Sequence, residues 1–312
     1  LELLEAAIAV NDHVAERLDL LLRRGRVGHA YLFSGPKGLG KRDAALNFAR
    51  RWIPSCKGCL ACGDCDQLAR NRHPHLLQVA PAEGKVKIGI DQIHDLEHTL
   101  LLRPELPLPR VAVIDPADAL TPDAMNAALK LLEEPPKGVT LILITSNAEA
   151  ILPTIRSRCH PVRFYPATDE EIRRKLREIS PMVPADVDLA AALCEGSFGE
   201  AQRLAGRIET LGPFVRDLLQ AARASDFSRI IETIVKGKDA ADTRERTRLA
   251  LRVLELAFRD ALRGRAGPFG APAGSPDRWL KGIDALLEHE RTIDLNAHTG
   301  LALSDALLQV TP

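Results

Sequence analysis

The sequence predicts an α/β fold: a parallel sheet covered by helices on both faces, followed by wholly helical segments. Three observations carry this. Val111–Asp115 and Val139–Thr145 are almost continuously apolar, the mark of strands buried on both faces of a parallel sheet. Stretches of helical periodicity lie between such runs, so strand and helix alternate. Beyond about Pro166 the strand signal stops and only helical periodicity continues.

Residues 12–24 read as an amphipathic helix, with Val14, Leu18, Leu21 and Leu22 on one face and Gly25 to close it. Ala30–Phe33 is a short strand. A helix over Lys41–Trp52 should bury Ala44, Ala45, Phe48, Ala49 and Trp52. Leu76–Val79 is a strand, and Asp91 is expected to cap a helix that turns Ile93, Leu96 and Leu100 inward. Pro104, Pro107 and Pro109 end that helix. After the apolar run at 111–115, Thr121 caps the next helix and Pro122 fills its first position. Met125, Ala128, Leu129 and Leu132 should face in, and Pro135-Pro136 is the stop. The strand at 139–145 follows, then a short helix from about Glu149 and a last strand over Val162–Tyr165.

Thr168 and Glu171 have the spacing of a capping box, with Ile172, Leu176 and Ile179 inward behind it. Helices at 186–194 and from Gly199 complete a small three-helix domain. Apolar sets at Phe214/Leu218/Leu219, Ile230/Ile231/Ile234 and Leu249/Val253/Leu256 continue the helical pattern; Gly267–Pro276 reads as a loop before two further helices. The expected domains are therefore residues 1–166, 167–208 and 209–312.

A chain of 312 residues accommodates two or three domains. Lys plus Arg is 42 and Asp plus Glu is 42, so there is no global attraction for nucleic acid. No apolar run approaches the ~20 residues of a membrane span. The first residues lack a basic segment followed by an apolar one, so no secretory signal is expected. Four of the six cysteines fall within ten residues, which points to metal binding in a reducing compartment rather than to disulfides. The cytoplasm is the expected location.

Chemistry concentrates in three places. Gly35, Gly38, Gly40 and Lys41 stand at P-loop spacing between a strand and a helix, where backbone N–H groups and a lysine meet phosphate oxygens. The hydroxyl residue that would hold Mg²⁺ next to the lysine is replaced by Arg42. Asp115 ends the second strand, as the Mg²⁺-supporting carboxylate of such ATPases does, but Pro116 follows it instead of an acid that orients water. The missing groups argue against hydrolysis. Two readings of the loop stand: weak nucleotide binding through Gly38, Gly40 and Lys41, or a turn kept for its geometry. Cys56, Cys59, Cys62 and Cys65 are spaced as a closed, structural Zn²⁺ site. An iron–sulfur centre fits less well, because three residues before the last cysteine and a proline after it are absent. His73 and His75 read as strand-entry residues. Ser157-Arg158-Cys159 holds an arginine of no special character when taken alone.

Taken together, the segments Gly28–Pro36, Asn126–Pro136 and Ser157–Cys159 resemble the clamp-loader branch of the AAA+ proteins, and their order and spacing match as well. The resemblance covers roughly the first 205 residues; after that it is looser, although Asp294–Leu303 is similar to the last helix of such subunits. It implies a P-loop domain with an inserted zinc knuckle (56–65), a helical lid and a C-terminal oligomerisation collar. It also implies a place in the hetero-pentameric clamp loader of DNA polymerase III, beside motor (gamma/tau) and delta subunits, acting through the complex on the sliding clamp and primer–template DNA. The motor subunits have Thr or Ser at Arg42, Glu at Pro116, and an arginine where Gly196-Ser-Phe-Gly199 ends in glycine. The resemblance therefore implies a non-hydrolysing subunit that lends Arg158 to a neighbour's ATP site. In zinc modules of that kind the first cysteine stands several residues further away than Cys56 does. The alternative is a hydrolysing motor subunit with unusual motif residues. A zinc-dependent nucleic-acid module is disfavoured, since only Lys57 is basic in the knuckle, against Asp64 and Asp66.

Overall fold

The computed structural model describes residues 11–54, 56, 62–102, 107–179, 183–223 and 240–264. Cys59, the apolar set at 230–234, the loop at 267–276 and the segment 294–303 lie outside the described residues. The chain divides into two compact units, residues 1–168 with 196–199, and residues 169–195 with 200–312.

The first unit is built on a five-stranded sheet in the order β2-β3-β4-β1-β5. Its strands are β1 (Ala30–Ser34), β2 (Leu76–Val79), β3 (Arg110–Ile114), β4 (Val139–Thr145) and β5 (His160–Arg163). Every pairing is parallel. Around the sheet lie α1 (Asp12–Arg23), α2 (Lys41–Trp52), α3 (Gly63–Ala69), α4 (Ile90–Leu101), α5 (Pro122–Glu133) and the one-turn α6 (Pro153–Arg156).

Alternate strand residues feed two cores, as period-2 geometry requires. Leu32, Ala112, Ile114, Leu141 and Leu143 pack with Ile93, Leu96 and Leu100 of α4 and with Met125, Ala128 and Leu132 of α5. On the other face Tyr31, Phe33, Val111, Val113, Ile142 and Ile144 pack with Val14 and Leu18 of α1 and with Ala44, Ala45, Phe48 and Ala49 of α2. The two covered faces explain why β3 and β4 are apolar throughout.

Several local expectations shift. Asp91 does not cap α4: the cap is Gly89, in extended backbone, and its N–H donates to the Gln92 side chain at 3.3 Å. Asp91 instead sits in the first turn, where a carboxylate still meets the helix dipole favourably. Thr121 does cap α5, accepting from the Ala124 N–H at 3.2 Å. Leu131 is buried on α5, while Leu129 is only half-buried, because the core-facing stripe runs through 124, 125, 128, 131 and 132. Trp52 is likewise half-buried at the end of α2. The helix expected from Glu149 is a 3₁₀ turn at Ala148–Ala150 followed by α6, which starts at Pro153. The last strand pairs with β1 over His160–Arg163 rather than 162–165; one further bond, from Phe164 N–H to the Ser34 carbonyl at 2.8 Å, closes it.

In the second unit α7 (Asp169–Ile179), α8 (Pro184–Leu193), α10 (Ile208–Arg223) and α11 (Ala240–Leu262) are helical, and α9 (Phe198–Ala205) begins within the segment assigned to the first unit. Ile172 and Leu176 are buried, whereas Ile179, expected inward, is exposed at the last turn of α7. Phe214, Leu218, Leu219, Val253 and Leu256 are buried as their spacing required.

One buried cation ties the first unit together where the sequence suggested only a strand start. Arg110, at the head of β3, is buried. Its guanidinium donates to the carbonyls of Thr99 and Leu102 (both 3.1 Å) and Leu100 (2.5 Å). It thus satisfies the open C-terminal end of α4, which lacks intrahelical donors there. Arg110→Met should leave these carbonyls unpaired and lower stability by about 2–3 kcal/mol, read as a reduced midpoint in urea unfolding; a midpoint within error of the parent would show that water replaces the cap at no cost.

Candidate functional site: a P-loop closed by its own arginine

The P-loop runs from the C-terminal end of β1 to the first turn of α2. Two of its glycines are required sterically. Gly35 has φ +145°, and a Cβ there would lie 2.4 Å from the Phe164 carbonyl oxygen. Gly38 has φ +78°, and a Cβ would lie 2.3 Å from Ser197 Oγ. Ser197 packs on the loop and donates to the Gly38 carbonyl at 2.8 Å; it belongs to the Gly196–Gly199 segment counted with this unit.

Lys41 is buried and turned back on the loop, with Nζ 2.6 Å from the Gly35 carbonyl and 2.5 Å from that of Pro36. Burial lowers its pKa, more than Asp115 and Asp118 raise it. Arg42 points across the end of the sheet. Its Nη1 donates to Asp115 Oδ2 at 3.1 Å and its Nη2 to Gln78 Oε1 at 3.0 Å. The carboxylate that would support a metal ion therefore already faces a cation from its own chain. Neither the partner Gln78 nor the role of Asp118 was legible beforehand. Burial pushes the Asp118 carboxyl up, but hydrogen bonds from Thr145 Oγ1 (2.9 Å) and from the Ser146 N–H and hydroxyl outweigh it and hold the group below its ordinary range.

Arg158 lies at the other end of the sheet. It precedes β5, whose first residue, His160, pairs with Tyr31 near the start of β1, whereas the P-loop follows the end of β1. Five residues of strand separate the two levels, about 16 Å at the rise of a β-strand. Arg158 is half-exposed; Nη1 donates to the Thr154 carbonyl at 2.9 Å and Nη2 pairs with Glu133 Oε1 at 2.8 Å. Its neighbour Cys159 is buried in the core and fixes the turn. Burial pushes the Cys159 thiol up from 9.0 to about 12. Its contribution to folding is therefore complete below pH 9 and declines as pH rises toward 12.

Cys56, Cys62 and Cys65 lie together: their sulfurs are all within 4.8 Å of one another, with Cys56 3.5 Å from both Cys62 and Cys65. Zn–S bonds of about 2.3 Å in a tetrahedron place sulfurs about 3.8 Å apart, and a disulfide would need about 2.05 Å. The three thiols thus fit a metal ion, and Cys56 stands with the group despite its short spacing. Bound Zn²⁺ would supply a cross-link between the end of α2 and α3, with no open position for catalysis once a fourth thiolate joins. His73 and His75 are engaged elsewhere. His73 Nδ1 accepts from the His75 N–H at 3.1 Å, and His75 Nδ1 lies 3.1 Å from the Pro109 carbonyl.

Iodoacetamide at pH 8 should spare Cys159 in the folded chain and modify it in denaturant, as read by peptide mass spectrometry; equal labelling in both states would contradict its burial. Cys65→Ser should abolish stoichiometric zinc in the purified chain, measured by elemental analysis, and unchanged metal content would remove the cluster as a zinc site.

A family model described as "DNA polymerase III, delta subunit" matches residues 10–168, just over half of the chain. The chain is 30% identical over 319 residues to the DNA polymerase III subunit gamma/tau of Mycobacterium tuberculosis, covering 92% of this chain and 54% of that protein. It is 36% identical over 193 residues to the DNA polymerase III subunit delta' of Pseudomonas aeruginosa, covering 59% of this chain and 58% of that one. The delta' subunit of Bacillus subtilis matches at 34% over 165 residues, 51% of this chain and 50% of its own. The chain thus spans little more than half the length of the curated relatives it matches. Among solved structures, a DNA polymerase III gamma subunit-related protein of Thermotoga maritima superimposes with a TM-score of 0.54 at 19% identity, over 94% of this chain and 98% of that one, a likeness of fold. The family-model match over residues 10–168, which takes in the sheet unit that carries both the P-loop and Arg158, means that the chain belongs to the AAA+ clamp-loader subunits of DNA polymerase III.

Proposed function

We propose that this chain is a non-hydrolysing, delta'-type subunit of the DNA polymerase III clamp loader, and that it lends Arg158 to the ATP site of an adjacent motor subunit. The observation that carries the reading is the Arg42 guanidinium set on Asp115. Phosphoryl transfer on a P-loop needs Mg²⁺ between a hydroxyl and that carboxylate; here the hydroxyl is missing and a fixed cation is hydrogen-bonded to the acid. Pro116 supplies no base to orient water. The separation of Arg158 from its own P-loop by the length of β1 supports action in trans, since the arginine cannot serve the pocket of its own chain. An arginine finger is worth about 10³–10⁵ in rate where it has been measured, so a subunit without a working site can still govern its neighbour's.

On this reading the partners are gamma/tau motor subunits and a delta subunit in a five-membered ring, and the sliding clamp and primed DNA are reached through the complex. Residues 167–208 serve as the lid and 209–312 as the collar. Zn²⁺ is structural, and the setting is cytoplasmic; among the described residues no helix is long and apolar enough to cross a membrane. A second reading, a hydrolysing gamma/tau-like motor, is favoured by the match to gamma/tau along 92% of the chain.

The purified chain alone should show no ATP turnover; turnover at the rate of a motor subunit would select the second reading. In a loader reconstituted with the gamma/tau and delta subunits of the same organism, Arg158→Ala should lower DNA-stimulated ATPase by about tenfold or more while the ring still assembles. An unchanged rate in the intact ring would sink the finger assignment.

A further inference from the structure

We propose that Glu133 is a positioning residue for Arg158, holding its guanidinium in the attitude in which it meets the neighbour's nucleotide. The inference rests on the finger reading above. Glu133 is the last residue of α5 and Glu134 follows it. Two carboxylates at a helix C-terminus oppose the helix dipole. Local helix stability therefore does not account for Glu133, and a departure from a local rule of this kind points to a tertiary role.

That role is visible in the contacts. Glu133 Oε1 lies 2.8 Å from Arg158 Nη2, while Arg158 Nη1 is bonded to the Thr154 carbonyl at 2.9 Å and stands 3.4 Å from Ser157 Oγ. Ser157 Oγ is itself fixed by donating to the Thr154 carbonyl at 3.0 Å. The guanidinium is suspended between the end of α5 and the end of α6, two helices packed on one another. Ser157, Arg158, Glu133 and Pro135 line one open groove, together with His29 and His160.

The strength of the pair suits positioning. Arg158 and Glu133 have side-chain exposures of 37% and 51%, and exposed pairs of this kind contribute little to stability. Such a contact is too weak to withhold the arginine from a phosphoryl group, which offers more charge and more acceptor oxygens. It biases a long side chain, which has considerable rotamer entropy to lose, toward the rotamer seen here. Partly ordering the arginine before the neighbour docks lowers that cost in the catalytic step.

The test uses the reconstituted loader with Glu133→Ala, Glu133→Gln, Arg158→Ala and the double variant Glu133→Ala/Arg158→Ala, each checked for ring assembly. Glu133→Ala should lower kcat of DNA-stimulated ATPase by about tenfold, the scale of a finger displaced by a fraction of an ångström, and leave KM for ATP within about twofold. Glu133→Gln, which keeps an acceptor oxygen, should restore most of kcat. The double variant should be no slower than Arg158→Ala alone, because the glutamate acts through the arginine. A full rate with Glu133→Ala beside a low rate with Arg158→Ala would overturn the positioning role and leave the finger standing. A faster Glu133→Ala enzyme, or losses that add in the double variant, would overturn it too. A full rate with Arg158→Ala would overturn the finger and this inference with it.

Discussion

In a sheet whose strands are all parallel, every strand ends on the same side, so the two ends of the sheet differ in chemistry. Here the ends of β1, β3 and β4 bring together the P-loop, Asp115 and the Thr145–Ser146 pair. The start of β5 brings Arg158 to the opposite level. This directional constraint organises the molecule. It gathers residues distant in sequence at the P-loop edge, and it keeps the arginine at the far edge out of reach of that loop. The two ends can therefore carry different chemistry within one sheet.

The departure from P-loop chemistry is specific. The loop geometry survives, because Gly35 and Gly38 are held in backbone conformations that L side chains rarely adopt, with neighbours close to where a Cβ would stand. What has changed is the charge. Lys41 satisfies itself on the carbonyls of Gly35 and Pro36, and Arg42 takes Asp115 and Gln78. Arg42 and Asp115 are both solvent-accessible, so the pair contributes only about 0–1 kcal/mol to folding. Its effect lies in occupancy: a guanidinium donates hydrogen bonds to a carboxylate and has no lone pair with which to coordinate a metal. The scaffold therefore persists on its apolar cores, independently of whether the pocket functions.

The cysteine group and the buried Arg110 illustrate two ways of holding a sheet unit together at its margins. The thiols gather where the end of α2 and the start of α3 meet, so a metal bound there would link the two helices. Arg110 works inside, where a helix end would otherwise face the head of β3 with unpaired carbonyls.

Much of this was legible in the residues alone. Short-range pattern determined the order and type of the elements, since burial on both faces forces continuous apolar strands and helices show their own period; it likewise placed the Thr121 cap, the glycine loop and the cluster of cysteines. Boundaries moved where pairing outweighed pattern: β5 begins at His160 because the start of β1 is there to pair with it, and α4 begins at Ile90, capped by Gly89, whose N–H the Gln92 side chain reaches back to meet. The partners of the charged groups were beyond reach. Arg42 meets a carboxylate 73 positions away, Ser197 meets a loop 159 positions earlier, and Glu133 meets Arg158 across two helix ends. By itself the sequence determined which residues could carry chemistry and that the P-loop lacked its hydroxyl. Only the tertiary structure decided what replaces the missing group and where the arginine stands, because those contacts are set by how strands align and helices pack, not by the spacing of residues along the chain.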